Sequence, residues 1–172
     1  TLVCYLGLNL FTGKIGYLLD NDKKYIGFLG LVYLGNIVGS LIVGFICYFV
    51  FKNIPEVYSQ AVAIGNAKTN ITNFISGFNI FVGSCVCGAL VYIAVFCYKK
   101  MSKHIFKIVG IFIPIALFVY LGNDHCVANM YYFTFAFKFA DWKSYLNIAI
   151  ATIGNSLGAI AINSLAKLSA KN

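Results

Sequence analysis

Charged side chains fall along this chain mainly in short groups, around Asp20 to Lys24, Lys52 to Glu56, Lys99 to Lys107 and Asp141 to Lys143, and the intervals between are dominated by apolar residues. Most of these intervals run for about 20 residues or more, the length a helix needs to cross a hydrocarbon core of about 30 Å. They lack the apolar-polar alternation, over about ten residues, that marks the strand of a membrane barrel. The pattern therefore predicts an all-α integral membrane protein, with helices over 1–19, 25–51, 72–98, 105–137 with a break, and 144–166. Asn53-Ile54-Pro55 reads as a loop, and no span is assigned between 51 and 72.

Composition agrees: 60% of residues are hydrophobic and 10% charged, beyond what a soluble domain of this length carries. Residues 1–172 are read as a single transmembrane channel domain, and a start at Thr1 without Met reads as a fragment lacking its N-terminal span. No cleavable signal peptide is legible.

Charge sets the expected orientation. If successive helices alternate in direction, Lys23, Lys24, Lys99, Lys100, Lys103, Lys107, Lys167 and Lys171 lie on one side, and Lys52, Lys68, Lys138 and Lys143 on the other. The first side is then cytoplasmic by the positive-inside rule, in the inner (plasma) membrane of the cell. These lysines flank spans and form no stripe interleaved with exposed aromatics, so no nucleic-acid partner is expected. The cysteines Cys4, Cys47, Cys85, Cys87, Cys97 and Cys126 include no C-x-x-C pair and are read as packing residues. Neither a metal nor a cofactor is expected.

Two segments repeat. "YLGNIVGSLIVG" (33–44) and "TIGNSLGAIAIN" (152–163) share G-N-x-x-G, aligning Gly35, Asn36 and Gly39 with Gly154, Asn155 and Gly158. Such glycines let a neighbouring helix backbone approach, and the Asn can bond its exposed groups. Each copy follows a glycine-marked interruption, "NLFTGKIGY" or "LGNDHCVANM". With three spans per repeat the second copy enters the membrane inverted, an architecture of transporters and channels whose broken helices present free N–H groups near the midplane.

The pieces "NLFTG" (9–13), "GNIVGS" (35–40), "PIALFVYLGNDHCVANM" (114–130) and "TIGNSLGA" (152–159) resemble the formate/nitrite transporters, in that family's order and along essentially the whole chain. The G-x-[ED]-H-S-[IV]-A-N-M element departs only at Cys126, which stands where the family has Ser. The resemblance implies an aquaporin-like inverted-repeat helical bundle with two broken helices, a pore in each protomer and a homopentamer in the lipid bilayer. It implies passage of small monovalent weak-acid anions such as formate, nitrite or hydrosulfide, together with protons. Leu10, Phe11 and Thr12 match the family's L-F-T, Phe118 and Val91 its two hydrophobic constrictions, and His125 its central histidine, with Asn129 in the same element. Lys14 stands where the family usually has Asn. The family's pore-facing Asn in the fourth helix aligns with Gly88, or with Ser84 one turn earlier.

Taken by themselves, these residues have plainer readings. A lone histidine is commonly a packing residue, but an ionisable group inside a span is a functional candidate. An imidazole between apolar constrictions is charged beside an anion and neutral without one, so it can pair with the anion or hand it a proton. A carboxylate would repel an anion, so Asp124 is expected to cap the half-helix beginning near His125. Asn36 and Asn155 are expected to lock the broken helices in place. Lys14 is read as snorkelling to the interface, with a place beside the anion path as the other reading. The alternative function is an aquaporin-type channel for small neutral solutes, which would show Asn-Pro-Ala signatures absent from this sequence. A membrane enzyme would need more intramembrane ligands than one His and one Asp.

Overall fold

The computed structural model describes residues 6–169, and every regular element among them is helical. After an extended stretch come a short helix α1 (Phe11–Lys14) and a 3-10 turn (Ile15–Asp20). Then follow α2 (Lys24–Phe51), α3 (Pro55–Thr69), α4 (Phe74–Lys100), α5 (His104–Tyr120), α6 (Cys126–Phe135) and α7 (Trp142–Ser169). A 3-10 turn, Lys138–Ala140, joins the last two. The helices α2, α4 and α7 are long and apolar enough to cross a membrane, and differ from the expected ranges only at their ends.

Two expectations need correction. The helix over 1–19 is not continuous where it is described: Gly7 takes φ +65°, residues 8–10 carry no regular structure, with Leu10 extended, and helical structure starts only at Phe11. Its residues 1–5, with Cys4, lie outside the described residues, as does Lys171. The interval between 51 and 72, assigned no span, contains α3, and of the expected loop Asn53-Ile54-Pro55 only Asn53 and Ile54 stay outside that helix. Pro55 in its first turn, Glu56 beside it and Lys68 in its last turn suit a helix and its dipole. Tyr58 of α3 packs near Phe135 at 5.9 Å, and Lys68 reaches Asp124 just before α6, so α3 runs antiparallel to α6.

The tightest contact in the bundle is between α4 and α7. An added Cβ would lie 1.9 Å from the Cys85 carbonyl at Gly158, 2.8 Å from the Phe81 carbonyl at Gly154, and 2.1 Å from the Asn155 carbonyl at Gly88. Glycine is thus required by a backbone that cannot give way. Gly35 and Gly39, the matching positions on α2, meet nothing within 4 Å among the described residues. Gly88→Ala is expected to lower stability by about 1–3 kcal/mol, the usual cost of overpacking. Gly30→Ala, at a site with no neighbour within 4 Å, should leave stability unchanged or slightly raised. Thermal unfolding of the two detergent-solubilised variants checks this, and equal melting temperatures would refute it.

One end of the bundle is tied by Asp20. Its carboxylate accepts from Asn163 Nδ2 at 2.9 Å and pairs with Lys167, while Asn163 also donates to the Gly16 carbonyl. Burial acts to raise the Asp20 pKa, but the bonds from Lys167 and Asn163 outweigh it and leave it below its ordinary value of 3.8. A carboxyl with a depressed folded-state pKa stabilises fully above its unfolded pKa and loses that contribution as pH falls through the folded value. Since Lys167 is half exposed, the loss should stay under about 1 kcal/mol. Comparing Asp20→Asn with the parent protein at neutral and acid pH tests it, the gap being expected to close in acid.

Candidate functional site

Two of the short helices begin in the same way. Leu10, the residue before α1, has φ −105° and ψ 127°; His125, before α6, has φ −112° and ψ 117°. In each case one Asn from a G-N-x-x-G helix, half-buried Asn36 or fully buried Asn155, grips the chain on both sides. Asn36 accepts from the Phe11 N–H at 2.8 Å and donates to the Asn9 carbonyl at 3.0 Å. Asn155 accepts from the Cys126 N–H at 2.9 Å and donates to the carbonyls of Asp124, at 2.9 Å, and Ser84, at 2.8 Å. These bonds satisfy backbone groups that would be costly to leave unpaired in a lipid-facing fold.

His125 is the N-cap of α6. Its Nδ1 accepts from the Ala128 N–H at 3.2 Å, and its Nε2 lies 2.9 Å from Thr12 Oγ1. A bond into Nδ1 assigns the ring proton to Nε2, so the imidazole is neutral and donates to Thr12. Thr12 is fully buried and His125 6% exposed, so this bond joins the two halves of the chain inside the protein. Asp124 does not cap the helix as its position suggested. Its Oδ1 accepts from Lys68 Nζ at 3.0 Å, Asn129 Nδ2 at 2.8 Å and Asn147 Nδ2 at 3.2 Å, which turns the carboxylate away from the helix end.

Lys68 is accordingly not a mere outer flank of a span. It forms a largely buried ion pair with Asp124, the two side chains 12% and 14% exposed, and Asn147 braces it by donating to its carbonyl at 3.0 Å while accepting from Asn129 at 2.7 Å. Neither Lys68 nor Asn147 stood out in the sequence. The available signal was a lysine and an asparagine in otherwise apolar surroundings, with nothing to say that they meet.

Beside His125 lies an open, groove-like cavity of about 650 Å³ bordered by Leu10, Val91 and Phe118, with the Phe118 ring 5.8 Å from the imidazole between centroids. Past Phe118 it adjoins a second cavity of about 410 Å³, bordered by Lys68, Asn123 and Asn129. Past Leu10 it adjoins a third, of about 100 Å³, bordered by Lys14 and Lys99. Phe11 does not border the central cavity; its ring packs edge-on against Tyr33 at 4.9 Å in the hydrophobic core. Gly88 and Ser84 both face α7, Gly88 at Asn155 and Ser84 at Gly154, so neither borders the central cavity. Among the described residues no cluster of three metal-ligating side chains occurs.

The model of the family described as "Formate/nitrite transporter" matches residues 1–168. The chain belongs to that family. Two curated proteins are similar to it. The "Probable formate transporter" of Methanothermobacter thermautotrophicus is 28% identical over 91% of this chain and 66% of its own length. The "Uncharacterized transporter YrhG" of Bacillus subtilis (strain 168) is 30% identical over 75% of this chain and 49% of its own. The chain thus spans less than two thirds of the length of either relative. Among solved structures, an "FNT family ion channel" superposes with a TM-score of 0.81 at 24% identity, over 98% of this chain and 72% of that one. A "Pentameric formate channel with formate bound" gives 0.70 at 25% identity, over 95% and 74%. The formate/nitrite transporter fold is therefore shared by nearly the whole chain.

Proposed function

We propose that this formate/nitrite transporter chain passes small monovalent anions of weak acids, of the formate, nitrite or hydrosulfide kind, through a pore in each protomer of a homopentamer in the plasma membrane. The observation that carries this is the placement of His125: a neutral imidazole bonded to Thr12, between the apolar rims of Leu10 and Val91 on one side and Phe118 on the other. The two Asn-clamped helix starts support an inverted repeat with two broken helices, in which Leu10 and His125 hold equivalent positions. One start carries an apolar rim residue and the other the polar group at which a permeating anion is met.

An anion that has shed water needs donors. Thr12 is fully buried and does not border the cavity, so its part is to hold the His125 ring through Nε2, and the anion meets His125 with the positive end of α6 beside the ring. A proton relay runs through the imidazolium. When the ring takes a second proton, Nδ1 loses the Ala128 N–H as a donor, and the cation is compensated by the anion next to it. The proton on Nδ1, taken up from the acidic aqueous side, then passes to the anion, which leaves as the neutral acid, and Nδ1 again accepts from the Ala128 N–H while Nε2–H stays bonded to Thr12. Lys68, held by Asp124, keeps a positive charge on the far side of Phe118, where Asn123 Nδ2 is a buried donor with no protein partner.

The test is a flux comparison of formate, nitrite, hydrosulfide and lactate in liposomes at two pH values. Flux of the first three that rises as the outside is acidified is the expected result. Passage of neutral solutes such as glycerol with no anion flux would replace this reading by the aquaporin-type one.

A further inference from the structure

Lys14 and Lys99 share the small cavity beyond Leu10, and how they are held suggests a use that the central site does not account for. Gly13 presses α1 against α4: a Cβ there would stand 3.0 Å from Val95 Cγ2, so the backbone leading to Lys14 lies directly on the helix that carries Lys99. The Lys14 carbonyl accepts from Tyr25 Oη at 3.0 Å, which fixes the main chain at that residue. Lys99 is an exposed residue that borders the cavity, and its Nζ is restrained 4.4 Å from the centre of the Tyr17 ring by a cation-π contact.

Neither lysine has an ion-pair partner among the described residues, and no carboxylate borders the cavity. The nearest acid along the chain, Asp20, is already engaged by Lys167 and Asn163. Two lysines thus border one space whose other walls come from Leu8, Leu10, Val95 and Tyr98. Like charges so placed repel each other unless an anion lies between them. The cavity's volume of about 100 Å³ corresponds to roughly three waters of liquid, room for an anion of a few heavy atoms. Leu8 and Leu10 border both this cavity and the one beside His125, so an anion held here has only the Leu10 rim to pass.

We infer that Lys14 and Lys99 form an entry site that binds a small monovalent anion in its ionised form on the lysine-rich side, before it crosses Leu10 to His125. The inference rests on the chain being an anion path. Its distinct content is that this site sets the anion concentration needed for half-maximal flux and makes entry from this side sensitive to ionic strength. Snorkelling of Lys14 to the interface would give neither property.

Formate flux into liposomes holding the assembled protein, measured against formate concentration, tests it. Lys14→Gln and Lys99→Gln should each raise the half-saturating concentration by about tenfold, as expected for losing a charge-assisted hydrogen bond, with maximal flux little changed. Lys14→Arg should stay near the parent value. Added sodium gluconate should raise the half-saturating concentration of the parent and scarcely affect that of Lys14→Gln. Unchanged concentration and salt dependence in both Gln variants would overturn the proposal.

Labelling of the unmodified protein with an amine-reactive reagent gives a second readout that needs no variant and no flux. Formate should slow modification of Lys14 and Lys99 and leave Lys23 and Lys24 unaffected, as read by peptide mass spectrometry. Equal rates with and without formate would refute the entry site even in a protein that conducts. Protection in a protein that passes no anion would uphold the site and refute the transport reading instead.

Discussion

His125→Phe is expected to cut anion flux by about 10- to 100-fold, the factor that follows from removing one hydrogen bond to a charged group, and to abolish its pH dependence. Phe fills the space between Leu10, Val91 and Phe118 with hydrocarbon and withdraws the donor bonded to Thr12. It also removes the cap on the Ala128 N–H, at a cost of about 1 kcal/mol, so assembly must be checked on the same sample. His125→Asn separates the effects. Asn is a good N-cap and a hydrogen-bond donor but does not titrate, so it should keep the oligomer and part of the flux while losing the pH dependence. A folded His125→Phe oligomer with the parent's flux and pH profile would reduce His125 to a capping residue and dismiss the relay.

How much of this site the sequence disclosed depends on whether lipid or a partner residue sets the constraint. Lipid demands long apolar helices, and α2, α4 and α7 were legible because nothing else explains their length and composition. The helix α3 does not stand out as a span because Glu56, Asn66 and Lys68 break the apolar run. Asn36 and Asn155 were visible as amides inside apolar helices, and their spacing from glycine suggested a backbone partner. That each would grip both sides of a single residue, Leu10 or His125, is a matter of register between elements and is not written in either segment. Asp124 shows the limit most clearly. An acid and a histidine stand side by side at a helix start and either can cap it; the choice is made by Lys68, Asn129 and Asn147, which occupy the carboxylate and leave the cap to the ring.

The remaining large effect concerns that ion pair. Lys68 and Asp124 are 12% and 14% exposed in their side chains, and Asp124 Oδ1 receives Asn129 and Asn147 as well as the ammonium. Lys68→Met leaves a carboxylate with two amide donors but no counter-charge, and losing one partner of a buried pair costs about 3–5 kcal/mol. Asp124→Asn strands the ammonium in the same way. The double variant, Lys68→Met with Asp124→Asn, removes both charges and keeps a carbonyl to accept from Asn129 and Asn147. It should therefore be more stable than the sum of the single effects predicts, by about 1–3 kcal/mol, the coupling expected of residues in direct contact. Thermal inactivation of the detergent-solubilised oligomer, followed by size-exclusion chromatography, measures all four proteins. Strict additivity would mean that Lys68 and Asp124 act independently, and the cation beyond Phe118 would then be held by α3 alone. Coupling of the expected size would make the pair a unit, with Asp124 fixing Lys68 beside the path on one face while its carbonyl, gripped by Asn155, holds the peptide that presents His125 on the other.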